Sequence, residues 1–354
     1  MKKIISLILC LFFALSCFGC IQLNTQKAPV YTDSAIKNAP FKVHFIDVGQ
    51  GDCILVESSG QFALIDAGET ADSYKAINYL GNLGVTSLDF AIATHPHSDH
   101  CGGFPNIFRN FSCGYFLFPE TDVDTNTWYS ILDAADERGV PCEGAKAGDV
   151  FALGDATVTV LSPKENSIYS NLNNYSIVCI AQYQNTSVLL MGDAEKLVEK
   201  ELISESYDLC ADVLKLGHHG SSSSSGKEFL RSVNPSVAII TCGKDNDYGH
   251  PHRETTDALE ELGIPYRLTS EEGSIVVSSD GEKISVTSQS GSESLTESPT
   301  EMAEVTYIGN KNSHIFHRDS CESAVKTKEK NKVYFSSREE AVSKGYDPCK
   351  GCNP

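Results

Sequence analysis

The sequence predicts an α/β fold with two β-sheets and helices outside them, followed by a small C-terminal module stapled by zinc. In each half of residues 41–288, short apolar strands separated by turns lead into alternating strands and helices. Elements in this order pack as sheets covered by helices. Close pairs of His and Cys near the C-terminus predict the small module, because such pairs bind structural zinc.

Composition and charge exclude several classes of protein. The chain has 354 residues, with 28 Lys and Arg against 47 Asp and Glu, a formal net charge of -19 and 41% hydrophobic residues. It is therefore neither disordered nor a coiled coil, and it is long enough to bury a sizeable core. A chain-wide nucleic-acid surface is also excluded, since such surfaces neutralise phosphates with clustered Lys and Arg. Any site for a polyanion must be local or formed by metal ions.

The N-terminus predicts a lipoprotein signal peptide at residues 1–17. Lys2 and Lys3 precede an apolar run at 4–18, which is shorter than the roughly 20 residues of a membrane span and suits a secretory signal. The run ends in ALSCFGC (14–20), which resembles the bacterial lipobox, and Cys17 fits that pattern better than Cys20. We expect a lipid on Cys17 that anchors the exported protein to the outer face of the cell membrane. The alternative is an ordinary signal peptide and a secreted protein.

The segment 18–40 is polar and predicts a tether between the membrane and the folded chain. Elements of the folded region are then predicted from apolar alternation and turn residues. The predicted strands are 42–48, 53–57, 62–65, 88–94, 175–182, 187–191, 212–216 and 236–241. The predicted helices are 71–83, 194–204, 227–233 and 254–262.

A change of composition separates the folded region at 41–288 from the end of the chain. Residues 289–304 belong to a stretch rich in Ser, Thr and Glu with almost no apolar residues, which predicts a flexible linker. The module at 305–354 then carries nine Lys and Arg against six Asp and Glu, a local charge of +3. This is the only basic concentration in the chain and the best candidate for contact with an anionic polymer.

A cluster of potential metal ligands follows the strand at 88–94. The sequence HPHSDH (95–100) places His95, His97, Asp99 and His100 within six residues. Imidazole and carboxylate are ligands that Zn²⁺ and similar divalent ions prefer. In an extended segment alternate residues project to one side, so His95 and His97 can bind one ion while Asp99 and His100 reach a second.

This cluster resembles the HxHxDH signature of the metallo-β-lactamase fold. Two further motifs agree with it in order, LIDAG (64–68) and MGD (191–193). Three others, FIDVGQGD (45–52), LKLGHHGS (214–221) and YGHPH (248–252), resemble the ComEC-type branch, which includes the nuclease-like domain of the DNA-uptake protein ComEC. The resemblance covers about 41–288 and implies an αββα four-layer sandwich.

The resemblance also implies the ligands of two divalent ions, zinc or manganese. Carried over residue by residue, it assigns His95, His97 and Asp193 to one ion. To the other it assigns Asp99, His100, Asp193 and one His of the 218/219 pair, of which we favour His219. Most family members add a third His to the first ion, but no His occurs between 101 and 217, where Asn173 and Asn174 occupy the corresponding stretch. Hydrolysis of β-lactams is therefore not expected.

The expected activity is hydrolysis of a phosphodiester, most of all DNA, by a metal-activated hydroxide, because two ions about 3.5 to 4 Å apart clamp the attacking and leaving oxygens. No organic cofactor is expected. Candidate catalytic residues, which would activate water, hold the phosphate or protonate the leaving oxygen, are Asp99, His218, His219 and His250. One alternative is a phosphorylcholine or teichoic-acid esterase. Another is an inactive DNA-binding lipoprotein with structural metals.

The tail contains four residues spaced as a closed zinc site: His317, Cys321, Cys349 and Cys352. From Tyr307 onward it resembles the small zinc-binding domain of the DNA-repair protein Ada, with His317 where that domain has a Cys. A disulfide between the last two Cys and a ligand role for His314 are the alternatives. Most other Cys of the folded region, among them Cys53, Cys179, Cys210 and Cys242, are expected to be buried free thiols.

Overall fold

A computed structural model describes residues 30–31, 36, 38–205, 207–288, 307–318, 321–335 and 338–352. The predicted signal peptide with Cys17 and the predicted linker lie outside the described residues. Within the described ranges, no helix combines the length and the apolarity needed to cross a membrane.

Strands of the first half of the chain carry two to five residues each. They are β1 (Val30–Tyr31), β2 (Phe41–Phe45), β3 (Ile54–Ser58), β4 (Gln61–Ile65), β5 (Ser87–Leu88), β6 (Phe90–Ile92), β7 (Ser112–Cys113), β8 (Phe116–Phe118) and β9 (Cys142–Gly144). The strands that follow are β10 (Val150–Leu153), β11 (Ala156–Ser162), β12 (Val178–Tyr183), β13 (Thr186–Leu190), β14 (Val213–Lys215), β15 (Val237–Ile240), β16 (Tyr266–Leu268), β17 (Ile275–Ser279) and β18 (Ile284–Ser288).

All of these strands except β5 and β7, which pair with each other, form two mixed sheets. The first has the order β1-β18-β17-β2-β3-β4-β6-β8-β9, and the second has the order β10-β11-β12-β13-β14-β15-β16. Antiparallel hairpins make one part of each sheet, and parallel strands make the other, from β4 to β9 and from β13 to β16. Parallel neighbours need a crossover connection, which places helices on the outer faces.

The helices of this region are α1 (Ser73–Asn82), α2 (Ser98–Cys101), α3 (Phe104–Asn110), α4 (Asn126–Arg138), α5 (Lys196–Ser204), α6 (Lys227–Val233), α7 (Arg253–Glu261) and α8 (Thr269–Glu272). The first group packs on the first sheet: Leu64 of β4 shares a buried cluster with Ala76 and Leu80 of α1. In the same way, Leu189 of β13 packs with Val198 of α5 on the second sheet.

Alternation along the strands creates the central layer of the core. Ala63 and Ile65 flank Leu64 on β4, yet they join Val188 and Leu190 of β13 in a cluster between the sheets. Successive side chains of a strand point to opposite faces. The two sheets therefore share one apolar interior and each carries helices outside, which confirms the predicted αββα sandwich.

The predicted strand at 88–94 is divided in the structure. Asp89 separates β5 from β6, and its carboxylate accepts a hydrogen bond from the backbone N–H of Phe62 at 2.8 Å. As a result, β5 pairs with β7, whereas β6 enters the large sheet between β4 and β8. The expectation of buried thiols holds for Cys53, Cys179 and Cys242 but is wrong for Cys210, which is exposed.

The tail has its own small sheet. Its elements are β19 (Tyr307–Asn310), β20 (Ile315–Arg318), α9 (Glu322–Val325), β21 (Lys332–Phe335), α10 (Arg338–Ser343) and β22 (Asp347–Pro348), with strand order β21-β19-β20-β22. Its fully buried apolar cluster consists of Phe316, Phe335 and Ala341. Such a small core needs a further constraint, which a metal staple supplies.

Candidate metal centre

Loops at the carboxyl ends of five strands converge on one place. Asp66 follows β4, the 95–100 cluster follows β6, Asp193 follows β13, the 218/219 pair follows β14 and Thr241 follows β15. Because the strands come from both sheets, the loops face one another across the top of the sandwich. Functional residues gather at such strand ends in α/β folds.

The first group of ligands consists of His95, His97 and Asp193, whose candidate ligand atoms all lie within 4.8 Å of one another. His95 Nε2 lies 2.9 Å from His97 Nδ1 and 3.8 Å from Asp193 Oδ2. His95 Nδ1 is 3.1 Å from the Thr94 hydroxyl, which itself donates to Asp66 Oδ2. The Thr94 oxygen therefore accepts from His95 Nδ1–H, and this leaves the Nε2 lone pair facing the group.

The second group consists of His100, His219, Asp52 and, again, Asp193. The two imidazole Nε2 atoms are 3.1 Å apart, and Asp193 Oδ1 lies 3.1 Å from His100 Nε2 and 3.5 Å from His219 Nε2. His100 Nδ1 donates to Asp66 Oδ2 at 2.8 Å, and His219 Nδ1 donates to the carbonyl of Thr241 at 2.9 Å. Both rings are thereby held in the tautomer that presents Nε2 to a metal.

Of the two other carboxylates near His219, Asp52 belongs to the second group, whereas the predicted ligand Asp99 lies beside it. Asp99 Oδ2 lies 3.3 Å from His219 Nε2 and 3.8 Å from His100 Nε2, and its side chain is 26% exposed toward the cleft. Asp52 is fully buried, and its two oxygens contact Lys215 Nζ at 2.8 Å and the hydroxyl of Thr241. Asp52 Oδ1 is also 3.4 Å from His219 Nδ1. The Asp52 oxygens lie on the Nδ1 side of the His219 ring, away from Nε2. We therefore assign Asp52 a supporting role and assign Asp99, which faces the cleft, as the metal ligand.

The residues present fit divalent metal ions. Asp193 Oδ1 is buried and accepts no hydrogen bond, although it faces the imidazoles of both groups. Buried polar atoms are almost always paired, so an unpaired carboxylate oxygen among imidazole nitrogens fits the role of a cation ligand. The donors are nitrogen and carboxylate oxygen, which suits zinc or manganese.

Burial and mutual charge shift the pKa values of this cluster. Burial would raise the pKa of Asp193, but the adjacent imidazoles of His100 and His219 hold it well below its usual value. Burial would lower the pKa of His219, but Asp193 and Asp52 raise it to about 9. Burial and the neighbouring His100 together lower the pKa of His95. Such opposed shifts are typical of functional sites.

Backbone geometry at the site is also unusual. His218 and His219 are consecutive residues with positive φ, 51° and 53°. For residues with a Cβ this conformation costs about 1–2 kcal/mol each, so the surrounding structure must impose it. At Gly51, a Cβ would lie 2.1 Å from the carbonyl oxygen of Asp99. The Gly therefore permits the 49–52 loop to approach the metal ligands.

The centre opens into a cleft of about 320 Å³, and its lining includes Asn173, Asp193, His218, Tyr248 and His250. His218 Nδ1 is 3.0 Å from the Ser223 hydroxyl, and its Nε2 is 3.6 Å from Asp193 Oδ2. Burial and the neighbouring His219 lower the pKa of His250 to about 4. His250 Nδ1 and Asn173 Oδ1 are buried without a hydrogen-bond partner, like Asp193 Oδ1. Three buried polar atoms of residues around the cleft are thus left without a protein partner.

The Ser-rich loop after the His pair is held from inside the protein. Its last residue, Ser225, and the following Gly226 donate their backbone N–H groups to the buried carboxylate of Glu199 on α5. Ser222 N donates to His252 Nδ1 at 2.9 Å, so His252 has a structural partner. These backbone donors at the start of α6 are therefore engaged by protein groups and are not available to a phosphate.

In the tail, His317, Cys321, Cys349 and Cys352 come together, with their ligand atoms within 4.8 Å of one another. Cys321 Sγ lies 3.4 Å from His317 Nδ1, and the three Cys are free thiols, which does not support the disulfide alternative. His314 is outside the cluster and packs its ring on Tyr346. The donor set is that of a closed tetrahedral zinc site.

The sequence alone did not identify the residues that hold the metal ligands in place. Asp52, Asp66 and Lys215 all lie in motifs that the sequence shows, but no role was predicted for them. Thr241 was seen only as the end of a strand. The signal that could have identified Lys215 is a Lys at the end of an apolar strand, a position in which a charge requires a buried partner.

Comparisons with known proteins agree with this geometry. Residues 46–244 match the family model described as the metallo-beta-lactamase superfamily. Residues 293–354 match the model described as the metal binding domain of Ada, which identifies the tail as an Ada-type zinc-binding domain.

Among curated proteins, ComE operon protein 3 of Bacillus subtilis is 35% identical over 253 residues, which are 66% of this chain and 32% of that protein. Competence protein ComA of Neisseria gonorrhoeae is 28% identical over 251 residues, 69% of this chain and 33% of that protein. The chain thus spans about a third of the length of these relatives. Among solved structures, the metallo-beta-lactamase fold protein YhfI of Bacillus subtilis aligns with a TM-score of 0.47 and 14% identity, covering 65% of this chain and 96% of that one.

Asp99 lies beside His219 at the edge of the cleft, and its role as a metal ligand can be tested by substitution. Replacing Asp99 by Ala removes a carboxylate beside the second group, so the purified full chain should lose about one equivalent of bound metal while its circular dichroism is unchanged. Hydrolytic activity should fall roughly 10²-fold or more, the size of loss expected when charge stabilisation is removed. Metal content is measured by mass spectrometry.

The matched control is Asp136→Ala, which removes an exposed carboxylate on α4. Unchanged metal content, or more than about a tenth of the activity, would contradict the assignment of Asp99.

Proposed function

The chain belongs to the metallo-beta-lactamase superfamily, as a metal-dependent hydrolase related to competence proteins, and from this we propose that it is a phosphodiesterase that cleaves DNA. The observation that carries the proposal is the cleft itself. Asp193 joins two groups of ligands, and the cleft in front of them is lined by polar side chains, among them Asn173, His218 and His250. Metal ions held by the two groups would supply the positive charge that an anionic ligand requires there.

Two metal positions are offered by the side chains. His95, His97 and Asp193 would hold one ion, and Asp99, His100, Asp193 and His219 would hold the other. Bound there, a pair of divalent ions supplies Lewis-acid activation of water and neutralises phosphate charge. This local positive charge reconciles an acidic protein with an anionic substrate.

Other residues act on the substrate or on the ligands. His218 and His250 line the cleft beside the ligands and are placed to donate hydrogen bonds to phosphate oxygens. The amide of Asn173 lies 3.4 Å from the His218 ring and faces the same space. Asp66 and the Thr241 carbonyl orient His100 and His219. The rigid frame therefore presents its donors before any substrate arrives.

DNA is proposed as the polymer for two reasons. The motifs of this chain resemble the nuclease-like domain of a DNA-uptake protein, and one curated relative is named a competence protein. In addition, the Ada-type tail carries the local basic charge of the chain. Teichoic acid and phosphorylcholine esters share the phosphodiester and are therefore the comparison substrates.

The proposal is tested with full-length protein loaded with Zn²⁺ or Mn²⁺. We expect cleavage of single- or double-stranded DNA, measured on gels, and loss of cleavage in His97→Ala, with Asp136→Ala as the active control. p-Nitrophenylphosphorylcholine is assayed in parallel. If neither metal supports DNA cleavage, the proposal is wrong, and hydrolysis of the choline ester alone would identify the esterase activity instead.

The tail is proposed to add affinity for DNA without taking part in the chemistry. Its ligands form a closed set, which leaves no open position. A chain ending at Glu304 should therefore cleave a short oligonucleotide like the full chain but bind long DNA more weakly, most visibly at low salt. Binding is measured by fluorescence anisotropy. Equal binding of long DNA by both forms would indicate another partner for the tail, and loss of short-substrate cleavage would contradict the division of roles.

We also propose that a lipid on Cys17 anchors the protein to the outer face of the cell membrane. The support is the lipobox-like sequence, which lies outside the described residues. Radiolabelled fatty acid should be incorporated into the wild type and into Cys20→Ser but not into Cys17→Ser. Incorporation that depends on Cys20 would move the site. No incorporation into the wild type would indicate a secreted protein.

A further inference from the structure

We infer that Tyr248 forms a stacking subsite for a nucleobase next to the phosphate that the metal centre binds. This inference deepens the proposed function, on which it rests, because it distinguishes a nucleic acid from other phosphodiesters. Tyr248 is 65% exposed, and among the exposed large apolar residues of the described chain it is the one that lines the cleft.

The ring of Tyr248 has one supported face. It lies parallel to the imidazole of His250, with an interplanar angle of 17° and a centroid distance of 5.6 Å. His250 in turn lies 5.4 Å from the His218 ring and 6.0 Å from the His219 ring. A row of rings thus leads from the metal ligands to Tyr248. A phosphate held at the metals would have its neighbouring nucleoside along this row.

The segment that carries Tyr248 is held in place. Asn246 accepts from the N–H of His250 at 2.9 Å, and its amide donates to the carbonyls of His250 and Gly243 at 2.7 and 2.9 Å. His252 Nε2 donates to the carbonyl of Tyr248 at 3.1 Å. The backbone on either side of the aromatic ring is therefore fixed before binding, which lowers the entropic cost of ordering it around a ligand.

A nucleobase is the ligand that this arrangement favours. Every base has a π-face, and stacking on an aromatic side chain is how proteins bind single-stranded nucleic acid without reading its sequence. The cleft floor is polar and suits the phosphate, whereas Tyr248 at the rim offers an apolar plane. The subsite should therefore accept any base but require one.

The test uses two single-stranded oligonucleotides of equal length and charge, one with normal bases and one with abasic sugars throughout. Metal-loaded full chain is compared with Tyr248→Ala and Tyr248→Phe, and Tyr129→Ala is the control because Tyr129 is 51% exposed on α4 outside the cleft. We expect Tyr248→Ala to lower kcat/KM on the normal strand at least about fivefold, mainly through KM. Tyr248→Phe should cleave the normal strand with the kcat/KM of the wild type. The abasic strand should be cleaved with the same kcat/KM by the wild type and by every variant.

Binding gives a readout that does not depend on cleavage. Fluorescence anisotropy with phosphorothioate versions of both strands, which keep the charge and resist hydrolysis, should show the same selective loss in Tyr248→Ala. If no DNA is cleaved but this loss is seen, the proposed activity is wrong and the base subsite stands. If Tyr248→Ala changes neither strand, or weakens both equally, the subsite is overturned. A loss for a choline ester but not for the normal strand would overturn it in favour of a cation-binding ring.

Discussion

The buried carboxylate of Asp193 is the group on which the rest of the centre depends. Its two oxygens face different sets of imidazoles, and it follows β13 in the second sheet while His95, His97 and His100 follow β6 in the first. The contacts of this carboxylate with His95 and His100 therefore join the two sheets at one end. Asp193 Oδ1 lacks a hydrogen-bond partner, so the full value of this contact is reached only when a cation is bound.

Charges behind the ligands show how the protein keeps such a cluster folded. Lys215 has no exposed surface, and its Nζ contacts Asp52 and the carbonyl of Leu216. Burial would raise the pKa of Asp52, but Lys215 and His219 lower it, so the carboxylate stays ionised. A buried pair of this kind is weak support for stability but is strongly destabilising when one partner is removed. Its place behind His219 indicates that it serves ligand orientation.

The region at 41–288 and the tail use their metal ligands for different purposes. Residues 41–288 have an extensive apolar core, so their fold does not depend on the metal ligands. Those ligands can therefore form an open site, in which His218 and His219 adopt positive φ. The tail has a small buried apolar cluster of Phe316, Phe335 and Ala341, and its four ligands close on one another as a constraint on folding. Under the proposed function, metals would attract phosphate at the centre of the acidic chain, and the Lys and Arg of the tail would attract it there.

The sequence by itself determined the two sheets with helices outside, the ligand types at 95–100 and the Cys and His of the tail, because alternation, helix period and ligand spacing are local properties. Helices α3 and α4 and strands β7 to β11 went unpredicted, and Asp89 divided a strand that apolarity alone made continuous. Only the tertiary structure decided that Asp52, Lys215 and Thr241 support His219 and that Tyr248 lies beside His250. Asp52 and Thr241 are 189 residues apart in the chain. Their contact depends on how the two sheets pack on each other, and no local sequence pattern encodes that packing.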